Sequence, residues 1–338
     1  MSPRPTVVVT HRIHEPVKQF LAKDCEVVAN DDGESWPRRK LLENVRTADA
    51  LLVFMPDQID EALLAECPRL KVIAAAFKGY DNIDVAACTR RGVWVTIVPD
   101  LLSSPTAELA LALVLGLTRN LLPGDRLIRA GKFQGWRPVL YGDGLVGKTI
   151  GILGMGKLGQ AFARLLSGFN VRIIYHDPVG MSPVQEAFLG ISRAGFEDVL
   201  AQSDVLVVLL PLTEATLHLI NAATLSKMKK GGYLVNVGRG STVDEAAVAR
   251  SLAEGTLRGY AADVYEMEDL ARRDHPSSIH PELIDHVDRT LFTPHLGSAV
   301  AQVRLEIELS AAGSILQALR GDRPNDAVNE PDFCSAKK

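Results

Sequence analysis

The sequence predicts an α/β protein made of two doubly wound parallel-sheet domains. Three observations carry this. The chain has 338 residues, and at roughly 100–200 residues per domain that length points to two domains. Short apolar runs alternate with amphipathic stretches in two separate series, the rhythm of parallel sheets covered on both faces. One glycine-rich turn joins a strand to a helix, in the second series only.

In the first series, residues 6–10 (TVVVT), 25–29, 50–54 (ALLVF), 71–76 (KVIAAA) and 93–96 read as strands. Residues 14–21, 37–46 and 59–66 read as the helices between them. From 106 to 131 the pattern is that of one long helix, with Leu109, Leu113, Gly116, Leu117 and Asn120 at helical spacing. Such a helix would bridge two domains or support a dimer interface. The second series has strands at 149–153, 171–176, 205–209, 233–236, 259–263 and 291–293. Its helices fall at 157–167, 196–201, 225–228 and 245–254. A C-terminal helix spans 298–319, and the tail beyond Gly321 reads as irregular.

Composition excludes several classes. Hydrophobic residues make up 47% and charged residues 23%, which is ordinary for a globular chain. The 37 basic and 41 acidic residues give a net charge of −4, with no footprint for nucleic acid. The N-terminus (MSPRPTVVVTHR) lacks the apolar core of a secretory signal. The apolar run from 107 to 117 is interrupted by Glu108 and too short to span a bilayer. A cytoplasmic protein with no membrane partner is expected. Cys25, Cys67, Cys88 and Cys334 match no metal-ligand spacing, so no metal is expected and all four read as free thiols.

The turn Gly154-Met155-Gly156-Lys157-Leu158-Gly159 fits G-x-G-x-x-G and sits between strand and helix. The first glycine permits the tight turn, the second lets backbone approach a pyrophosphate, and the third allows close helix–strand packing. The helix N-terminus offers free N–H groups to the phosphates. Asp177 ends the next strand, 177 − 159 = 18 residues after the last glycine, where the fingerprint places an acid on the ribose 2′-hydroxyl. A carboxylate there repels a 2′-phosphate, no arginine follows, and the adjoining His176 attracts a phosphate only weakly. NAD is therefore expected as cofactor, in preference to NADP.

Three polar residues follow strands of the second series: Arg239 in VNVGRGS, Glu268 in ADVYEMED and His295 in FTPHLGS. Ligands of open α/β sheets bind outside the carboxyl ends of the strands. Hydride transfer leaves a proton to be moved, and histidine suits that near neutral pH. A carboxylate beside it orients the ring, and an arginine fork grips an oxyanion. Each residue also has a plain reading. His295 would cap the helix near Ser298, Arg239 would pair with Asp244, and Glu268 would be one more solvated acid.

The motifs GILGMGKLG, LVNVGRGSTVDEAAV, GYAADVYEMED and FTPHLGSA resemble the D-2-hydroxyacid dehydrogenase family. The resemblance implies Rossmann/flavodoxin-like domains, with a cofactor domain (103–296) inserted into a split substrate domain (1–102 plus 297–325). It implies Arg239, Glu268 and His295 as the catalytic set, and a homodimer with a cleft between the domains. It assigns to the cofactor Thr106, Gly154, Gly156, Lys157, Leu158, Gly159, Asp177, Pro211, Val237, Gly238, Arg239, Asp263, His295 and Ser298.

Longer stretches resemble the phosphite (phosphonate) dehydrogenase branch of that family: MPDQID, FKGYDNIDVAACTRRGVW, VPDLLSSPTAELA, FQGWRPVLYGDGL and TPHLGSAVAQVRLEIE. That branch oxidises phosphite to phosphate with NAD. By this resemblance Met55, Lys78, Gly79 and Arg304 join Arg239 and His295 around the substrate, and Trp136, Tyr141 and Ser298 occupy pocket-lining positions, with plain packing an equal reading for Trp136 and Tyr141. Three departures from the branch are Asp177 in place of Glu, Val237-Gly238 in place of Pro-Cys, and Lys157 in place of a small apolar residue. The missing side chain at Gly238 predicts a looser nicotinamide site. The alternatives are a dehydrogenase of glyoxylate or hydroxypyruvate with the same catalytic set, and an NAD-sensing corepressor on the same fold.

Overall fold

The computed structural model describes residues 3–331, so Cys334 and the first two residues lie outside the described residues. The chain divides into two compact units: an N-terminal unit ending at Leu102 and resuming at Ala299, and a central unit from Ser103 to Ser298.

The N-terminal unit is built on β1 (Thr6–Val9), β2 (Glu26–Ala29), β3 (Ala50–Val53), β4 (Val72–Ala75) and β5 (Trp94–Thr96), parallel and in the order β2-β1-β3-β4-β5. Its inner strands are continuous apolar runs because both sheet faces are covered. Val7, Val9, Leu52 and Ala74 point to one face, where Ile307, Ala311 and Ile315 of the C-terminal helix (Ala301–Arg320) pack on them. Val8, Leu51, Ile73 and Ala75 point to the other, against Leu41, Leu63 and Ala87. This is the two-residue alternation of a strand, read across a sheet.

The central unit holds β6 (Thr149–Leu153), β7 (Arg172–His176), β8 (Ile191–Arg193), β9 (Val205–Val208), β10 (Gly232–Asn236), β11 (Leu257–Ala262) and β12 (Thr290–Phe292). The order is β12-β11-β10-β9-β6-β7-β8, again parallel throughout. The two orders are those of the flavodoxin-like and Rossmann doubly wound sheets. The expected fold class is the observed one. Strand order reverses between β1 and β3 in one unit and between β6 and β9 in the other, which marks the carboxyl-end crevices where such sheets take ligands.

Several sequence expectations need correction. The helix expected over 106–131 is two helices, Ser103–Thr118 and Leu121–Arg129, bent by 65°. Asn120 at the break is left-handed, with φ +53°. Pro123 supplies the reason: continued helix would drive its ring into the carbonyl of residue 119. Strand β8 and the helices Val85–Arg90, Pro183–Leu189 and Pro281–Asp285 were not expected; all are short. The C-terminal helix starts at Ala301 rather than 298. The tail beyond Gly321 covers the edge of β5: Val328 N–H donates to the Val95 carbonyl at 2.9 Å, and Asn329 Oδ1 accepts from Val95 N–H at 2.8 Å. Among the described residues no single helix is long and apolar enough to cross a membrane.

Candidate active site

The glycine turn follows β6 at the switch point of the central unit. Gly154 has φ +95°, and a Cβ there would lie 2.9 Å from the Leu209 carbonyl oxygen. A Cβ on Gly159 would lie 2.3 Å from the Gly154 carbonyl oxygen, whereas one on Gly156 would meet nothing within 4 Å. The three glycines thus divide the work as the fingerprint requires: turn, open approach, close packing. Gly156 is the N-cap of helix Lys157–Leu165, with Lys157 exposed and Leu158 half-buried behind it. This cradle fits a pyrophosphate.

Asp177 reaches back to the turn. Its Oδ2 accepts from Met155 N–H at 2.7 Å and its Oδ1 from Val179 N–H at 2.8 Å. The carboxylate therefore stands at the turn, where the ribose is expected. His176 is turned away, with Nδ1 3.3 Å from the Ala194 carbonyl and its ring edge-on to Phe196. Sequence reasoning missed Arg193. It sits in β8, paired with Tyr175 of β7, and its Nη2 donates to the carbonyls of Asp177 (2.8 Å) and Pro178 (2.9 Å). The only sequence signal was the short run ISR after Gly190, too brief to read as a strand.

His295, Glu268 and Arg239 follow β12, β11 and β10, three neighbouring strands, at the same sheet edge. His295 Nδ1 lies 2.5 Å from Glu268 Oε2, while Glu268 Oε1 accepts from Tyr265 N–H at 3.0 Å. The ring is thus held through Nδ1, leaving Nε2 as its chemical face. His295 is left-handed, φ +54°, with its N–H on the Asp263 and Thr293 carbonyls.

Asp263 is buried beneath that loop. It accepts from Thr293 Oγ1 (2.5 Å), Leu296 N–H (2.7 Å) and Gly297 N–H (2.8 Å). Burial pushes its carboxyl above the usual range, against the pull of these donors. Asp263 thus shapes the histidine loop, and a Cβ on Gly297 would come within 2.9 Å of the Thr106 hydroxyl beside it. The plain readings of Glu268 and His295 fall away. Asp244 caps helix Glu245–Ala253, Glu268 holds His295, and the C-terminal helix has no side-chain cap.

Gly238 corrects an expectation. A Cβ there would lie 2.5 Å from the Leu210 carbonyl oxygen. The loop after β10 is pressed against the loop after β9, just before Pro211, so the missing side chain reflects tight backbone contact and not a looser site. Val237 is buried between them, its N–H on the Val208 carbonyl. Arg239 Nη1 donates to the Gly238 carbonyl at 3.1 Å.

In the N-terminal unit, Met55 follows β3 and Lys78-Gly79 follow β4, at the carboxyl end beside its switch point. Arg304 reaches the same strand end: Nη1 donates to the Ala76 carbonyl at 3.1 Å and the guanidinium lies 5.6 Å over the Phe54 ring. Burial holds Arg304 below the usual arginine range, with Glu308 at 4.0 Å pulling the other way. Trp136 and Tyr141 are 83% and 69% exposed and do not pack in a core. A groove of about 440 Å³ in the central unit lies at the opposite, amino-terminal strand ends, by Tyr233, Leu257 and Arg258, away from the site residues.

Residues 111–297 match the model of the D-isomer specific 2-hydroxyacid dehydrogenase NAD-binding domain, more than half of the chain. The chain belongs to that family. Similar relatives include glyoxylate reductases of Thermofilum pendens (38% identical, covering 97% of this chain and 95% of that one) and Pyrococcus furiosus (37%, 97% and 96%). A Thermus thermophilus protein of solved structure matches with TM-score 0.87 at 32% identity, over 96% of this chain and all of that one. The NADPH-dependent glyoxylate/hydroxypyruvate reductase of Sinorhizobium meliloti, solved with NADP and malonate, matches with TM-score 0.81 at 28% identity over 98% of each. Family membership agrees with the cradle, and the chain's cofactor is a nicotinamide dinucleotide of the NAD class. The curated relatives above are named for glyoxylate, and none of them for phosphite.

Proposed function

We propose that the protein is an NAD-linked dehydrogenase of a small oxyanion, of the glyoxylate reductase type. The Glu268–His295 pair carries this reading, because it sits in the same unit as the dinucleotide cradle and presents a histidine with a fixed chemical face. Bound nicotinamide would supply the hydride chemistry. His295 Nε2 would exchange the proton with the substrate hydroxyl, and Glu268 would hold the ring in place. Arg239 would bind the carboxylate by its fork. Asp177 would select NAD by meeting the ribose hydroxyls. The names of the curated relatives support glyoxylate or hydroxypyruvate as substrate.

A second reading is oxidation of phosphite to phosphate. It is favoured by Lys78 and Arg304 at one strand end of the N-terminal unit, together with the sequence stretches quoted above. A substrate with up to two charges and three oxygens uses more cations than a monocarboxylate does. His295 would then take a proton from water as its oxygen bonds to phosphorus, the P–H hydride leaving to NAD. One assay separates the readings: NADH consumption with glyoxylate or hydroxypyruvate, against NADH formation with phosphite. The preferred substrate is the one with the higher kcat/KM. Dinucleotide binding with turnover of none of them would favour the corepressor instead.

A homodimer of this chain is part of the proposal. Leu121, Ile128, Phe133, Trp136 and Tyr141 expose apolar surface along one stretch of the central unit, as an interface would. Sedimentation of the wild type and of Trp136→Glu tests it: a dimer that the substitution dissociates is expected, and a monomeric wild type overturns it. A reducing cytoplasm suits the buried thiols Cys25, Cys67 and Cys88.

A further inference from the structure

The central unit holds a buried polar cluster that the chemistry above does not use. Glu245 and Glu266 are 4% and 8% exposed and bind each other's backbone: Glu245 N–H donates to Glu266 Oε1 and Glu266 N–H to Glu245 Oε1, both at 3.0 Å. Glu266 Oε2 meets His218 Nε2 at 2.7 Å and accepts from Arg272 Nη1 at 3.2 Å. The same Nη1 donates to Ser241 Oγ at 2.7 Å, and Ser241 N–H donates to Asp269 Oδ2 at 2.7 Å. His218, left-handed at φ +45°, donates its N–H to the Ser241 carbonyl at 2.7 Å. His280 N–H closes the cluster on Glu245 Oε2, and Asp274 pairs with Arg272 on the outer side.

These residues come from three different loops. His218 belongs to the loop after β9 that carries Pro211, Ser241 to the loop after β10 that carries Arg239, and Glu266 to the turn after β11 that carries Glu268. The second and third loops touch through backbone, for a Cβ on Gly240 would lie 1.9 Å from the Tyr265 carbonyl carbon. A buried ion pair adds little net stability over a well-packed apolar replacement, but it demands one geometry. A carboxylate answered by an arginine, a histidine and a backbone N–H, each from a different segment, fixes where those segments sit.

We infer that Glu266, clamped by Arg272 and His218, is a positioning residue that sets the three strand-end loops against one another and so places Arg239 and Glu268. The kinetic part of its test rests on the dehydrogenase reading; the exchange part does not. In the full chain, Glu266→Gln is expected to lower kcat about 10–100-fold, the cost of misplacing a site by a fraction of an ångström to an ångström. Rates are normalised to the fraction of protein that binds NADH by fluorescence. The acid limb of the kcat/KM profile is expected to move, because the Glu268–His295 geometry is disturbed. Arg272→Lys should recover most of the kcat lost in Arg272→Met. Amide hydrogen exchange in Glu266→Gln should rise together in 216–220, 238–243 and 265–269.

Faster exchange confined to 265–269, or a normalised kcat and pH profile that superimpose on the wild type, overturns the inference. Should Glu266→Gln not fold, the Arg272 pair carries the same readouts. A wild type that turns over neither class of substrate sinks the functional reading instead, and the exchange pattern then decides the coupling by itself.

Discussion

The two units are both doubly wound parallel sheets, of five and seven strands, and they part most instructively at the crevice where strand order reverses. In the central unit that place holds a glycine turn whose second glycine is open. In the N-terminal unit it holds Thr10 at the end of β1, whose hydroxyl donates to the buried Asp57 carboxylate at 2.5 Å, and Asp57 also accepts from Phe54 N–H at 2.7 Å. There a carboxylate gathers the Thr10 hydroxyl and the Phe54 N–H, whereas the central unit's turn opens into a helix N-terminus that suits a pyrophosphate. The parallel sheet supplies a crevice; a few strand-end residues decide whether it takes a dinucleotide.

That contrast can be broken from either side. The largest effect is expected for His295→Ala in the central unit, a loss in kcat of about 10²–10⁴-fold with NADH binding retained. Steady-state rates and fluorescence titration check it, and a variant with wild-type turnover would remove His295 from the chemistry. In the N-terminal unit, Lys78→Ala should raise KM for the anionic substrate about 10–100-fold, the worth of a charged hydrogen bond. Its KM for the dinucleotide should stay put, and a change in the latter instead would move Lys78 to the cofactor.

Asp177→Ala should raise the ratio of kcat/KM for NADP over NAD by a similar factor, about 10–100-fold. Arg193 is then the cation left beside the ribose, and adding Arg193→Ala should remove much of the gain. An unchanged ratio would take Asp177 out of cofactor selection.

The smallest effect concerns Asp57. Burial raises its carboxyl above the usual range, ahead of the opposing hydrogen bonds from Phe54 and Thr10. The folded state then holds the proton more tightly than the unfolded chain. The stability tied to that proton is present below the unfolded carboxyl range and lost as pH rises through the folded one. Asp57→Asn should therefore melt higher than wild type at neutral pH, by about 2–4 °C if the group matters by about 1 kcal/mol. The advantage should shrink toward acid pH in melting curves, and a gap that widens on acidification would refute the argument.

Much of this was legible in the sequence because it is local. Continuous apolar runs mark buried parallel strands, and VLVV and VIAA read directly as β9 and β4. The glycine turn and Asp177 obey a spacing set by one strand–helix–strand unit. The candidate set Arg239, Glu268 and His295 was legible only because each of the three follows a strand of the same sheet. What stayed hidden depends on contacts distant in the chain. Strand β8 has three residues and exists by pairing with β7. Arg193 gains meaning only from that pairing. The Glu266 cluster joins residues 218, 241, 245, 266 and 272, and Gly238 looked like a void because the Leu210 backbone that fills it lies 28 residues earlier in the chain.

The left-handed backbone at His295 has a consequence for how this enzyme would evolve. A non-glycine residue in that region costs about 1–3 kcal/mol, which surrounding structure has to offset. Glycine would sit there without strain, so the position sets folding against chemistry: the residue that best relaxes the loop is one that cannot move a proton. Selection for stability alone would erode the site first at this residue, and the Asp263 bonds to Thr293, Leu296 and Gly297 are what keep the loop wound around it.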